Sequence, residues 1–246
     1  MRPIVLIPAR LHSTRLPGKL LADIHGEPMI VHVWRRAMEA DIGPVVVASE
    51  EQEIADAVRA VGGEAELTSS DHTTGSDRIF EALERRDPGG EHDIVVNLQG
   101  DLPALDPGAL KTVLAPLTDP AIDISTLASP LDKEDLTDSH VVKVWIDVEP
   151  GVGTGRALAF SRAADPRNID GSCHHHIGVY AYRRGSLARF VALPPSASEQ
   201  AAGLEQLRAI EAGLVIGVGF VDTFPLGVDT PSDLARARTE LSAWVR

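Results

Sequence analysis

Ile4-Val5-Leu6-Ile7-Pro8-Ala9-Arg10-Leu11-His12-Ser13-Thr14-Arg15-Leu16-Pro17-Gly18-Lys19 is the stretch on which the reading of the fold turns. Its apolar start, Ile4–Ala9, predicts a buried strand. Its remainder predicts a loop with three cations, Arg10, Arg15 and Lys19, two hydroxyl residues and a glycine. Arginine offers forked donors to phosphate or carboxylate, and lysine a compact charge, so such a loop can wrap a polyphosphate. Ligands of open α/β sheets gather beyond the carboxyl ends of the strands, which is where this loop falls. From charge alone, a solvated surface loop accounts for it equally well. The standard phosphate fingerprints are absent. A Walker loop needs glycine where Ser13 stands and a hydroxyl residue where Leu20 stands. Gly151-Val152-Gly153-Thr154-Gly155-Arg156 ends on Arg156 where a dinucleotide-binding turn needs glycine, and reads as a plain turn.

Downstream of the loop, short β-branched runs alternate with amphipathic stretches. Pro28–Ala40 reads as a helix with proline at an early position. Val45–Ala48 reads as a strand, and Ser49 with Gln52 as a capping box opening the next helix. Ile54, Ala57, Val58 and Val61 fall at helical spacing before Gly62-Gly63. Ala65–Leu67 is a strand, Ser76–Arg86 a helix, and Ile94–Leu98 a strand running into Gln99-Gly100-Asp101. This alternation predicts right-handed βαβ units and a parallel sheet. After Ile122 the pattern changes. Strands at Ile122–Ala128, Val141–Asp147, Ala157–Ser161 and Ile177–Tyr182 come with fewer helices, which predicts mixed or antiparallel pairing. A helix at Leu204–Ala212, a strand at Val215–Val218 and a last helix capped by Thr230-Pro231-Ser232-Asp233 complete the chain. Leu234, Ala237, Leu241 and Val245 give that helix its apolar stripe. The whole, residues 1–246, reads as one α/β domain with a subregion over about 122–200.

Composition narrows the class of function. Hydrophobic residues at 43% and charged residues at 24% are those of a globular chain and argue against disorder. A net charge of −13 disfavours general binding to nucleic acid or anionic membrane, so a basic loop on this background points to a specific anion. No apolar run is long enough to span a bilayer. The N-terminal apolar run is too short for a signal peptide, and the single cysteine, Cys173, fits a reducing compartment.

The loop, continued through Gly26-Glu27-Pro28-Met29-Ile30, resembles the 3-deoxy-manno-octulosonate (Kdo) cytidylyltransferase family, whose signature is close to Pro-Ala-Arg-x-x-Ser-Thr-Arg-Leu-Pro-Gly-Lys. The likeness runs from Ile4 to about Arg238. It implies a nucleotide-diphospho-sugar transferase fold, an α/β architecture with a mixed, mostly parallel sheet flanked by helices and a smaller antiparallel or dimerisation region. It also implies a cytoplasmic homodimer that makes CMP-Kdo and pyrophosphate from CTP and Kdo for lipopolysaccharide assembly, with Mg²⁺ as cofactor.

The resemblance also assigns residues. Asp101, after the strand ending in Asn97-Leu98-Gln99-Gly100, and Asp229, in Gly227-Val228-Asp229-Thr230, match the family's metal aspartates. Hard oxygen ligands of this kind suit Mg²⁺. Arg10, Lys19 and Asp101 are the catalytic candidates. Ala9, Arg10, Ser13, Lys19, Thr74, Gly75, Arg78 and Gln99 are the candidates for CTP. Asp71-His72-Thr73-Thr74-Gly75-Ser76-Asp77-Arg78 matches a family segment placed near the base or ribose, and reads equally as a helix start capped by Ser76. Arg15 faces either the triphosphate or the sugar carboxylate. Phe160-Ser161-Arg162, His176-Ile177-Gly178-Val179-Tyr180 and Leu204-Glu205-Gln206-Leu207-Arg208 also match, so Arg15, Gln99, Arg162, His176, Tyr180, Glu205 and Gln206 are the sugar-acid candidates. A surface helix accounts for Glu205 and Gln206 nearly as well. His174-His175-His176 alternates across a strand and cannot easily share one ion.

The sequence departs from the family in three places: Leu102 stands where an acid usually follows the aspartate, His175 where arginine is common, and Asp165-Pro166 where Ile-Pro is usual. These leave open a cytidylyltransferase for another sugar acid, of sialic or amino-substituted Kdo type, and a non-catalytic nucleotide-binding protein.

Overall fold

The computed structural model describes residues 1–148, 153–163 and 173–242. In chain order the elements are β1 (Pro3–Ala9), β2 (Asp23–Ile24), β3 (Glu27–Pro28), α1 (Met29–Glu39), β4 (Val45–Ser49), α2 (Gln52–Ala60), β5 (Glu64–Leu67), α3 (Gly75–Arg86), β6 (Ile94–Asn97), α4 (Pro107–Thr112), β7 (Ile124–Ser129), β8 (Lys143–Val148), β9 (Thr154–Ser161), β10 (Cys173–Arg183), α5 (Arg184–Val191), α6 (Ala197–Ala202), α7 (Gln206–Glu211), β11 (Ile216–Phe220) and α8 (Pro231–Leu241). Asp165-Pro166, Gly151-Val152 and Val245 lie outside the described residues. Contacts gather the chain into two compact units, Met1–Leu110 with Pro225–Arg246, and Lys111–Phe224. The expected subregion of about 122–200 thus meets a division that begins earlier and ends later.

In the first unit, β5, β4, β1 and β6 pair in that order and all in parallel. Val5, Leu6 and Ile7 of β1 and Val95 and Val96 of β6 are fully buried, as strands covered on both faces require. The chain steps outward from β1 to β4 and β5, then returns to the other side of β1 to lay down β6. That reversal is a topological switch point, and it opens a crevice at the carboxyl ends of β1 and β6.

Two expected caps differ. Ser49 is the last residue of β4, and Glu51 is the N-cap of α2 without a side-chain cap bond. Helix α3 is capped by Thr74, whose hydroxyl accepts from the Asp77 N–H, so Ser76 lies inside the first turn. The last helix keeps its expected box, with Thr230 and Asp233 bonding reciprocally and Leu234, Ala237 and Leu241 buried. Helices α4, α5 and α6 were not expected. With six to eight residues each, they are too short for apolar periodicity to declare itself. The capping box Ser196/Glu199 of α6 was the available signal.

In the second unit the pairings run β10–β7–β11–β9–β8 and then back to β10, so five strands close on themselves. All are antiparallel except β7 with β11. Closure depends on β10, whose early residues Cys173–His175 pair with β8 and whose later residues pair with β7. Arg183, at its end, donates to the carbonyls of Leu117, Asp119 and Ile122 and pins the strand.

Candidate active site

The crevice of the first unit is an open pocket of about 460 Å³ whose lining includes Arg10, Ser13, Arg15, Lys19, Gln99, Asp101 and Asp229. The basic loop forms one wall. Its ends are tied by the Gly18 N–H donating to the Leu11 carbonyl, and Gly18 takes a left-handed φ of 67°, which starts the short turn presenting Lys19. The loop is held from outside by Glu51, whose carboxylate accepts from the Leu11 N–H at 2.8 Å and from the Ser49 hydroxyl at 2.9 Å. Gly100 also lines the pocket: a Cβ there would stand 3.2 Å from the Pro8 carbonyl oxygen, so a side chain would make β1 or the Asp101 turn give by a few tenths of an ångström.

Lys19 is the centre. Its Nζ donates to Asp101 Oδ2 and Asp229 Oδ1, both at 2.8 Å, and to the Val228 carbonyl at 3.1 Å. Two carboxylates separated by 128 residues in sequence therefore stand within the span of two hydrogen bonds. Burial works to lower the Lys19 pKa, but Asp101 and then Asp229 outweigh it, and the ammonium is held above its usual range. The two aspartate turns are also joined through the backbone, with the Val228 N–H donating to the Asp101 carbonyl at 2.9 Å. Arg15 faces Asp229, at 2.9 Å, with both side chains exposed. Arg10 is exposed on the pocket and has no bonded partner among the described residues. Among the described residues, no three His, Cys, Asp or Glu side chains converge as a metal site.

Other predicted nucleotide residues sit differently. Ala9 is buried at the end of β1 and does not line the pocket. Gln99 lines the pocket and donates to Asn97 Oδ1 at 3.1 Å. Thr74, Gly75 and Arg78 do not line it. Arg78 is 3% exposed, paired with Glu50 at 2.8 Å and donating to the Thr68 hydroxyl at 2.7 Å. Leu102, the departure beside Asp101, is buried and packs near Gly227, so it supports the Asp229 turn with apolar contact where a carboxylate is usual.

The second unit holds the sugar-acid candidates. His176 is buried, its Nε2 lies 2.9 Å from the Thr126 hydroxyl, and its ring meets Phe160 edge-on at 4.9 Å. Burial, with His175 adding, pushes its pKa down to about 3, so the imidazole is neutral and acts as a hydrogen-bonding group. The Tyr180 phenol is held protonated, its pKa raised by burial first and then by Tyr182 and Glu205. Arg162 donates from Nε to the Ala202 carbonyl and from Nη1 to the His140 carbonyl, both at 3.1 Å. Gln206 is buried, and its Nε2 has no hydrogen-bond partner among the described residues, a costly state for a buried donor. Glu205 precedes α7 as its N-cap. His174 and His175 turn to separate aromatic partners, Phe220 and Phe224, the latter stacked at 3.7 Å, so the histidine run does not form an ion site.

Glu51, Val228 and Thr126 were not foreseen. Each acts through a contact distant in sequence, and none of the three was read as functional from its local pattern.

A cationic turn facing paired carboxylates at the switch point of a parallel sheet defines a nucleotide-handling α/β transferase. The family model for cytidylyltransferases matches residues 4–216, and the chain belongs to the 3-deoxy-manno-octulosonate cytidylyltransferase family within it. It is 55% identical to the 3-deoxy-manno-octulosonate cytidylyltransferase of Paramagnetospirillum magneticum, over 99% of each chain. It is 58% identical to that of Rhodospirillum centenum, over 97% of this chain and 93% of the relative. Among solved structures it is similar to a CMP:2-keto-3-deoxy-manno-octonic acid synthetase complexed with CTP, at 39% identity, TM-score 0.88 and full coverage of both chains. A cytidylyltransferase of Leptospira borgpetersenii, at 16% identity and TM-score 0.64 over 100% of this chain and 89% of that one, shares the fold alone.

Proposed function

We propose that the chain transfers the cytidylyl group of CTP to 3-deoxy-manno-octulosonate, giving CMP-Kdo and pyrophosphate. The observation that carries this reading is the convergence of Asp101 and Asp229 on one cation, Lys19, at the mouth of the basic loop. Both reactants are anions, so positioning and charge neutralisation provide most of the catalysis. Arg10 and Lys19 neutralise the triphosphate, and Ser13 and Gln99 add hydrogen bonds from the pocket wall. The anomeric hydroxyl attacks the α-phosphorus in line. An oxygen–phosphorus bond forms as the bond from the α-phosphorus to the oxygen it shares with the β-phosphate breaks, pyrophosphate leaves, and the hydroxyl proton passes to water.

The donor set fits Mg²⁺: two oxygen ligands already turned toward one cation, with phosphate and water to complete the shell. Asp101 and Asp229 would hold it, and when bound it would supply neutralisation at the phosphate oxygens and a lower pKa for the attacking hydroxyl. Lys19 must release at least one carboxylate for this, and the triphosphate offers its ammonium a new anionic partner.

Arg162 meets the sugar carboxylate, because its Nη2 has no partner among the described residues. Neutral His176, Tyr180, Glu205 and Gln206 serve the hydroxyls. Arg15, tethered to Asp229, screens the metal side. Thr74, Gly75 and Arg78 shape the base end from behind, since the Arg78 guanidinium is occupied by Glu50 and Thr68. The family resemblance supports a homodimer working in the cytoplasm. Among the described residues no helix is long and apolar enough to cross a membrane.

The test is pyrophosphate release from CTP across a panel of sugar acids. Kdo should give the highest kcat/KM. Binding of CTP without release from any acid would sink the reading.

A further inference from the structure

Lys143, the first residue of β8, is among the largest almost wholly buried side chains of the described residues, at 1% exposure. Among the described residues it forms no ion pair with a carboxylate. Its Nζ donates to two backbone carbonyls, those of Asp138 and, at 2.9 Å, Arg162. The nearest opposing charge it feels is the Asp138 carboxylate, which it does not touch directly. A buried ammonium held only by carbonyls is costly, and a methionine of similar length would fill the same space without that cost. The position therefore needs explaining by what the charge holds.

It holds the two segments around Arg162. Asp138 belongs to the stretch that continues to His140, whose carbonyl accepts from Arg162 Nη1. The Arg162 carbonyl is the second acceptor of Lys143. The Arg162 side chain thus reaches back to a segment that Lys143 fixes, from a backbone that Lys143 also fixes. The Ala202 carbonyl holds Nε from the third side, so the guanidinium is oriented with Nη2 left over. An arginine on a strand end has many rotamers, and a clasp at both its main chain and its acceptor removes most of them.

We infer that Lys143 is a positioning residue: its ammonium clamps the carbonyls of Asp138 and Arg162 and so sets the Arg162 guanidinium for the carboxylate of the sugar acid. This rests on the proposed role of Arg162. It acts on ground-state and transition-state binding of the acid, and it leaves the nucleotide pocket untouched.

The experiment is a double-mutant cycle on the full chain, with Lys143→Met, Arg162→Ala and the pair, measuring KM for Kdo, KM for CTP and kcat by pyrophosphate release. Lys143→Met should raise KM for Kdo about tenfold with KM for CTP unmoved, and the pair should be no worse than Arg162→Ala alone. Lys143→Gln, which keeps donors without the charge, should recover part of the loss, and it carries the test if Lys143→Met does not fold. A lower melting temperature with unchanged KM for Kdo, equal rises in both KM values, or effects that multiply in the pair would each overturn the inference. If Arg162→Ala raises KM for Kdo while Lys143→Met and Lys143→Gln do not, only the clasp fails. If Arg162→Ala itself leaves KM for Kdo unchanged, the role of Arg162 fails and the clasp with it.

Discussion

The two units differ in how their candidate residues carry charge. The first gathers it: Lys19, Arg15, Asp101 and Asp229 form one ion cluster, half open to water. The second holds its charges buried, at Lys143 and in the Glu199–Arg208 pair, and keeps two site candidates uncharged: His176 is neutral with a pKa of about 3, and the Tyr180 phenol keeps its proton. The difference fits the two tasks proposed above. A triphosphate and a dication need strong fields that can be exchanged, and exposed pairs exchange at low cost. A polyhydroxylated acid needs fixed donors and acceptors, and burial fixes them.

The largest effect should come from removing one pole of the cluster. Asp101→Ala is expected to lower kcat by at least about 100-fold while the circular dichroism melt shifts little, because Asp101 is only partly buried. A well-folded variant with near-normal turnover would break the division of labour. Next, Lys19→Met should bind Mn²⁺ more tightly than the native chain when CTP is absent, by about tenfold in a titration, since the resident ammonium no longer competes for both carboxylates. Equal affinities would mean that Lys19 does not guard the pair.

The second unit is probed by acid. Unfolded, His176 takes up a proton near its ordinary 6.5, and folded it refuses one until about 3, so the unfolded chain binds more protons in that window. Stability from this group is complete above about pH 6.5 and falls as the pH drops toward 3. The urea midpoint of the native chain should decline across that range more steeply than that of His176→Asn. Parallel declines would show that the buried imidazole is not the sensor. The smallest effect is expected at the outer anchor of the loop: Glu51→Ala should raise KM for CTP a few-fold, in line with about 1 kcal/mol for one hydrogen bond, and leave KM for Kdo unchanged.

The contrast also explains what could be read from the chain alone. The cationic turn is contiguous, and its flanking strand has a strong apolar signal, so Arg10, Lys19 and the parallel sheet were legible. Asp101 and Asp229 were legible as matched motifs, but their meeting on Lys19 is a property of the fold. Glu51 was not: its contact with Leu11 joins the ends of two neighbouring parallel strands, and no local pattern encodes that. Arg78 was seen as a cation near a helix start, whereas its burial against Glu50 and Thr68 follows from how α3 lies by β4 and β5. The short helices of the second unit escaped because a turn or two of helix shows no period, and closure of its strands depends on β10 changing partners midway.

The first unit is built from both ends of the chain, with Asp229 arriving after the whole second unit has been made. During synthesis, a ribosome that has delivered Met1–Leu110 has delivered the cationic turn and one carboxylate only. On the role proposed for Asp229, catalytic competence is withheld until translation is nearly over, and a prematurely terminated product lacking it would leave Lys19 with Asp101 as its one carboxylate partner.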